Sequence, residues 1–395
     1  MSQSLDLPKL GTGPSAMLRP PEMLRDLQQQ APICKVRTPA GDEAWLVTRH
    51  EEVKELLKDE RINRSHPDPP SAPRYVDTPF FNLLITDSDP DEATRLHKEM
   101  RQLLTPSFSA RRLARLRHKV EALAEEMVRA LVDKGPPADL HGEFSQPFAL
   151  QVLYELIGVP TEDRLMILQL MGRMAVLDDP ASAEKGAEEL FTYISELVGR
   201  KRGHPGEDVI SRLCEAGVED QRIGTLAAGV LFAGLDSVVS HIDVGVLVLA
   251  NNPDKRDLAM RDAGAMAVAV EEVLRAAKAG SSMLPRWAAG DVDIADVTIK
   301  AGDLVLLDFT LSNFDTRAFD EPDTFDVTRA PNPHLTFGHG MWHCIGAPLA
   351  RVELQTAFST LFRHLPDLQV VVAPEDLKLE SGQLSGGLLE LPITW

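Results

Sequence analysis

The stretch from about Asp220 to Ala250 restricts this chain more than any other. It reads as one long helix of high apolar content, stopped by Pro253. A helix this apolar is normally buried, yet its middle carries Ala233-Gly234-Leu235-Asp236-Ser237. An internal carboxylate needs a reason, because burying a charge without a partner is unfavourable. A local ion pair or a hydrogen bond to backbone is the plain reason; delivery of protons to a buried reaction is the functional one.

Around this helix the pattern stays mostly helical. Helical signal runs from about Arg95 to Pro180, punctuated at Pro106, Gly135-Pro136-Pro137 and Gly158-Val159-Pro160, and resumes over 181–202 before the break at Gly203-His204-Pro205-Gly206. Further helices are predicted at His50–Leu57, at 266–277 and from near Cys344 to near His364. Short β-like pieces lie at 34–48, Val292–Ile294, Val297–Ile299 and Leu304–Leu307. Residues 63–90, rich in Pro, Ser and Asp, read as a long loop, and 313–343 as irregular. No internal repeat and no clean linker divides the 395 residues, so the expectation is a single domain over 1–395, mainly α with a minor β region.

Net charge −19 argues against a nucleic-acid binder. The three cysteines, Cys34, Cys214 and Cys344, form no CxxC pair and no evident disulfide framework, which favours a reducing compartment. The N-terminal residues lack the pattern of a signal peptide and an apolar anchor. A cytoplasmic protein, off the membrane and monomeric, is expected.

The segment Phe337-Gly338-His339-Gly340-Met341-Trp342-His343-Cys344-Ile345-Gly346 carries the most chemistry. Two glycines permit tight or left-handed turns before the cysteine. A cysteine at the start of a helix has its thiolate favoured over its thiol. The plain alternative is a small buried cysteine in a Gly-rich turn. The segment resembles the heme-binding loop of the cytochrome P450 family, F-G-x-G-x-(H/R)-x-C-x-G. By that resemblance Cys344 is the thiolate ligand of heme iron, Phe337, Gly338 and Gly346 shape the heme pocket, and the cofactor is heme b (iron protoporphyrin IX). One position departs: where the family has His or Arg facing a heme propionate, this chain has Trp342, with one N–H and no charge.

Other matches follow in order along the chain. Glu272-Val273-Leu274-Arg275 resembles the family's E-x-x-R helix, with Arg329 as the third member that locks the region behind the heme. His97 and Arg101 match its H-x-x-x-R, and Arg286 its arginine near the small sheet; the resemblance makes these three propionate-binding residues. Ala233–Ser237 is similar to A-G-x-(D/E)-T, which implies that Asp236 and Ser237 relay protons to dioxygen and that Gly234 leaves room for it. Serine in place of threonine keeps the hydroxyl but loses the stiffness of β-branching. His241, one turn beyond, reads as a packed histidine.

The resemblance implies a P450 fold with heme between the oxygen-activating helix and the cysteine loop. It implies a monooxygenase that takes electrons from a separate ferredoxin and ferredoxin reductase, since the sequence has no room for a flavin or iron–sulfur domain. The stretch Arg111 to Lys119 is basic in an acidic protein and reads equally as a docking face or a solvated helix face. Analogy places the substrate among the 63–92 loop, the helices around 165–200, residues 230–241, residues 280–286 and the 381–388 loop, with Phe80, Phe81, Ala233, Gly234, Met283 and Leu284 as contacts. A neutral, fairly large secondary metabolite such as a macrolide, peptide or terpene is expected, with hydroxylation ahead of epoxidation or oxidative carbon–carbon coupling. A peroxide-using heme-thiolate enzyme is the alternative, against which the Asp236–Ser237 pair argues. A non-catalytic binding protein is the other, against which Cys344 argues.

Overall fold

The short β-like pieces of the sequence assemble into a five-stranded sheet, ordered Ile33–Arg37, Glu43–Val47, Leu304–Asp308, Met283–Ala288, Ile62–Asn63. In this computed structural model, residues 7–9, 19–66, 68–76, 89–175, 180–277, 283–373, 376–379 and 387–395 are described. They fall into two units, one of residues 1–99, 274–325 and 331–344, the other of 100–273, 326–330 and 345–395.

The first unit contains the sheet. Ile33–Arg37 and Glu43–Val47 pair antiparallel, with Ile33 opposite Val47. The turn between them uses Gly41 at φ +95°, a backbone state that glycine adopts without strain. Glu43–Val47 then runs parallel to Leu304–Asp308, Trp45 opposite Val305. Apolar residues fill both faces. On one, Val47, Val305 and Leu307 meet Val53 and Leu56 of the His50–Leu56 helix. On the other, Leu46, Leu304 and Leu306 meet Leu24 of a Glu22–Gln30 helix, Met283 and Trp287. A sheet buried on both faces reads as continuous apolar runs, as in Leu304-Val305-Leu306-Leu307. The strand Met283–Ala288 escapes sequence reading because Pro285 and Arg286 sit inside it, where they would ordinarily mark a loop.

The second unit is helical, with a small sheet ordered Ala138–Asp139, Pro392–Thr394, Gln369–Val370. Helices occupy Ala110–Lys134, Gln146–Ile157, Arg164–Ala175, Pro180–Gly203, Val209–Glu215 and Ala347–His364. The last begins at Ala347, three residues later than the sequence suggests. The long apolar stretch is two helices, Asp220–Gly234 and Asp236–Ala250, interrupted at Leu235 with ψ −72°. By length and composition 220–250 would suffice to cross a membrane, but Val238 to Leu249 are all buried, as befits a core helix. Its packing is tight: a methyl group on Gly245 would lie 2.2 Å from the Phe358 ring and 3.1 Å from Val273.

Candidate active site

The cysteine loop is built by backbone hydrogen bonds. Gly338 N–H donates to the Leu335 carbonyl at 2.7 Å, and Cys344 N–H donates to the Phe337 carbonyl at 2.7 Å. Between them the chain turns through Gly338 at φ +69°, Gly340 at φ +60° and a 3₁₀ turn over Gly340–Trp342. A side chain on Gly338 would sit 3.0 Å from the Trp342 carbonyl. The two glycines are therefore required by both conformation and space. Cys344 emerges exposed, in disulfide linkage with nothing, while Phe337 is half-buried and Gly338 buried. Gly346 is the residue capping the Ala347–His364 helix.

Beside this loop the first unit gathers basic side chains. His97 sets its Nε2 3.1 Å from the Met341 carbonyl and its ring centroid 4.3 Å from that of Trp342, tilted by 39°. The Arg286 guanidinium lies 4.7 Å from the Trp342 ring centroid and that of Arg64 5.6 Å from it. Arg286 is 3% exposed. Burial works against its charge, and Arg64 adds like-charge repulsion, so its pKa lies well below the usual range. Burial lowers that of Arg64 as well. Arg286 donates one N–H to the Pro285 carbonyl. Its Nε, like Nε1 of Trp342, is buried with no hydrogen-bond partner among the described residues. Sequence reading overlooked Arg64 because residues from 63 on look like loop; the signal lay in the short strand before it. Trp342, read as a loss of the family's charge, is a platform for two guanidiniums.

The E-x-x-R helix is Ala263–Ala276. Glu272, 0% exposed, accepts Nε–H of Arg329 at 3.1 Å and the backbone N–H of Asp326 at 2.9 Å. Arg275, 1% exposed, donates to the carbonyls of Asn313 and Thr324 and lies over the rings of Phe314 and Phe319 at 5.3 and 5.5 Å.

In the second unit, Ala233 and Ser237 are exposed and Asp236 is half-buried, immediately before twelve buried residues. Gly234 packs closely against the Gln146–Ile157 helix. A methyl group there would lie 2.6 Å from a Leu153 methyl, so this glycine lets the helix approach Leu153. His241 is buried, with Nδ1 2.6 Å from the Ser237 carbonyl, which is the packed reading. Arg101 is half-buried on Pro90–Leu104. Of the proposed substrate contacts, Phe80 and Phe81 lie outside the described residues. Met283 is 8% exposed and packs in the sheet core; Leu284, on the other face of the strand, is half-buried.

Comparison with known proteins decides the family. A cytochrome P450 model matches residues 202–376. Pentalenolactone synthase of Streptomyces exfoliatus is 37% identical over 397 aligned residues, 99% of this chain and all of that one. The chain belongs to the cytochrome P450 family. Among other P450s, the mycinamicin IV hydroxylase/epoxidase of Micromonospora griseorubida is 35% identical over 94% of each chain. The solved structure of PimD, a polyene macrolide antibiotic pimaricin epoxidase, superposes with TM-score 0.94 at 53% identity, covering 99% of this chain and 100% of that one. The protein is thus a mainly helical P450 oxygenase whose family cofactor is heme held through a thiolate.

The first unit fits that cofactor. A buried Trp342 N–H without a partner among the described residues lies two residues before the exposed Cys344 thiol, and the Arg286 guanidinium, whose buried Nε is likewise without one, lies 4.7 Å from that indole ring. A macrocycle with two carboxylates and a metal that accepts thiolate matches this set.

Proposed function

We propose that this P450 epoxidises a carbon–carbon double bond of a polyene macrolide. The observation that carries this is the 53% identity, over 99% of the chain, to a polyene macrolide epoxidase. Sequence alone favours hydroxylation of an unspecified secondary metabolite; this similarity moves the proposal to epoxidation. Overall, alkene, dioxygen, two electrons and two protons give epoxide and water.

In this reading the whole chain, 1–395, works as one heme-thiolate monooxygenase domain. The Cys344 thiolate would hold the iron, His97, Arg101 and Arg286 would neutralise the propionates, and Phe337, Gly338 and Gly346 would keep the loop closed. When bound, heme supplies the reductive activation of dioxygen and the transfer of one oxygen atom. The protein's part is to hold protons. The Ser237 hydroxyl holds a proton at Oγ, and the half-buried Asp236 carboxylate takes protons from solvent and resupplies it. Ala233, exposed four residues before Ser237, and Leu284 are the proposed substrate contacts within the described residues.

Electrons come from a separate ferredoxin and its reductase. The docking face is the exposed side of Ala110–Lys134, less charged than its sequence suggests, because Arg115 pairs with Glu207 at 2.7 Å and Lys119 with Glu155 at 2.8 Å. None of the three cysteines is in a disulfide, which suits a reducing cytoplasm.

The test is turnover of a polyene macrolide lacking its epoxide, with ferredoxin, reductase and nicotinamide cofactor, under isotopically labelled dioxygen. The proposal expects a product heavier by one labelled oxygen atom and one alkene fewer. A product that keeps every alkene and gains a hydroxyl contradicts epoxidation, and no labelled product at all contradicts the substrate class.

A further inference from the structure

Two arginines face each other at the end of the sheet. Ile62–Asn63 pairs antiparallel with Met283–Ala288, Ile62 opposite Ala288 and Asn63 opposite Trp287. One step beyond the last pair, Arg64 follows Asn63 and Arg286 precedes Trp287, so the register carried on would bring the two opposite. Residues directly opposite in antiparallel strands present side chains to one face with Cβ atoms about 5 Å apart, where like charges repel. Both guanidiniums lie over the same Trp342 ring. Burial and this mutual repulsion both oppose the charge on Arg286. Arg286 Nε and Trp342 Nε1 lack partners among the described residues. Two buried donors without partners, beside a buried guanidinium with a second guanidinium near it, are a poor arrangement unless an anion lies against them.

We propose that Arg64 is a second guanidinium of the heme-propionate cradle, placed by strand register beside Arg286 and restoring, with the indole N–H of Trp342, the contact that the family makes with His or Arg at position 342. The inference rests on the heme-thiolate reading. The positive charge has moved from the cysteine loop to the neighbouring strand end, and both guanidiniums lie over the Trp342 ring, at 5.6 and 4.7 Å from its centroid. Arg64 is a positioning residue for the cofactor and touches no reacting atom.

The test measures heme release from the holoenzyme to an excess of a heme-scavenging globin. Wild type, Arg64→Gln and Arg64→Lys are compared, each loaded with natural heme or with heme whose propionates are methyl esters. Arg64→Gln is expected to release natural heme roughly tenfold faster, the scale of a lost hydrogen bond to a charged group. Esterified heme should leave wild type and Arg64→Gln at equal rates, because the partner charge is already gone; the two changes then fail to add, as for directly interacting groups. Arg64→Lys should restore part of the retention. Equal acceleration for both hemes assigns Arg64 to packing and overturns the proposal, as does no change with either. The red-shifted ferrous carbon monoxide band separates the two levels. If wild type lacks it, the heme-thiolate reading fails and takes this inference with it; if the band is present and both hemes respond alike, only the role of Arg64 fails.

Discussion

The carbonyl of Phe337 accepts the backbone N–H of Cys344 at 2.7 Å. That bond joins the two ends of the glycine turn and fixes where the sulfur leaves the backbone. Gly338, whose missing side chain would meet the Trp342 carbonyl at 3.0 Å, makes so tight a closure feasible. The position of one thiol is therefore set by main-chain geometry, and by residues that themselves carry no reactive group.

The relay assignment predicts that Asp236→Asn slows turnover by roughly a hundredfold, the lower range for loss of a positioned acid–base group. Ser237→Ala should divert electrons to hydrogen peroxide with a smaller loss of electron consumption. Both variants should keep the wild-type thiolate spectrum. Steady-state rates with peroxide assay check this; wild-type rates and coupling in both variants would remove these residues from proton delivery.

Docking by charge predicts a dependence on salt. Arg111 is exposed, and Arg112 hydrogen-bonds only a carbonyl, that of Glu207, among the contacts seen for it. Arg115 and Lys119 are already neutralised by Glu207 and Glu155. The double variant Arg111→Gln, Arg112→Gln should weaken ferredoxin-driven reduction more than Arg115→Gln with Lys119→Gln. Steering is screened beyond about 10 Å at roughly 0.1 M salt, so the loss should fade as salt rises. Stopped-flow reduction across a salt series makes the comparison; a salt-independent loss points to folding instead.

Glu353, 2% exposed on Ala347–His364, has one carboxyl oxygen without a partner among the described residues. Burial pushes its pKa well above the usual carboxylate range. Above about pH 4.3 the unfolded chain gives up this proton while the folded protein keeps it, so the group's contribution to stability falls as pH rises toward the raised pKa. Glu353→Gln keeps the volume and removes the titration. It should match wild type at low pH and exceed it progressively at higher pH, by at most about 1.4 kcal/mol per pH unit. Denaturant unfolding at pH 5 and pH 8 reads this directly, and a variant that is less stable at both would contradict it.

The buried pair Glu272–Arg329 is a structural tie. Arg329→Ala removes one charged partner of the buried Glu272 carboxylate, which should lower stability by about 1–3 kcal/mol. Denaturant midpoints measure it; a loss under about 1 kcal/mol would place the pair with ordinary surface contacts.

Much of this was legible in the sequence where spacing and residue type act together. The Phe337–Gly346 segment announces its turns through glycines at fixed offsets, and the 220–250 stretch its burial through composition. What was not legible depends on register and packing. Arg64 meets Arg286 only because Asn63 pairs with Trp287, and two strand residues leave almost no periodic signal. Pro285 and Arg286 disguised a strand because their surroundings, not their propensities, keep them there. Gly234 reads as space for a ligand; its close approach to Leu153, 81 residues away along the chain, is a matter of packing that sequence does not show. The packing of Met283 into the sheet core is hidden for the same reason: alternation gives two faces, and sequence does not say which is core.

The central claim is that Cys344 holds heme through its thiolate. The most direct measurement is the absorption spectrum of the purified, reduced protein under carbon monoxide, with Cys344→Ser beside it. The wild type should show the strongly red-shifted Soret band of thiolate ligation, and the variant should lose that shift even if it retains heme. A wild-type band at the position given by histidine ligation, or a shift that survives in Cys344→Ser, would contradict the account.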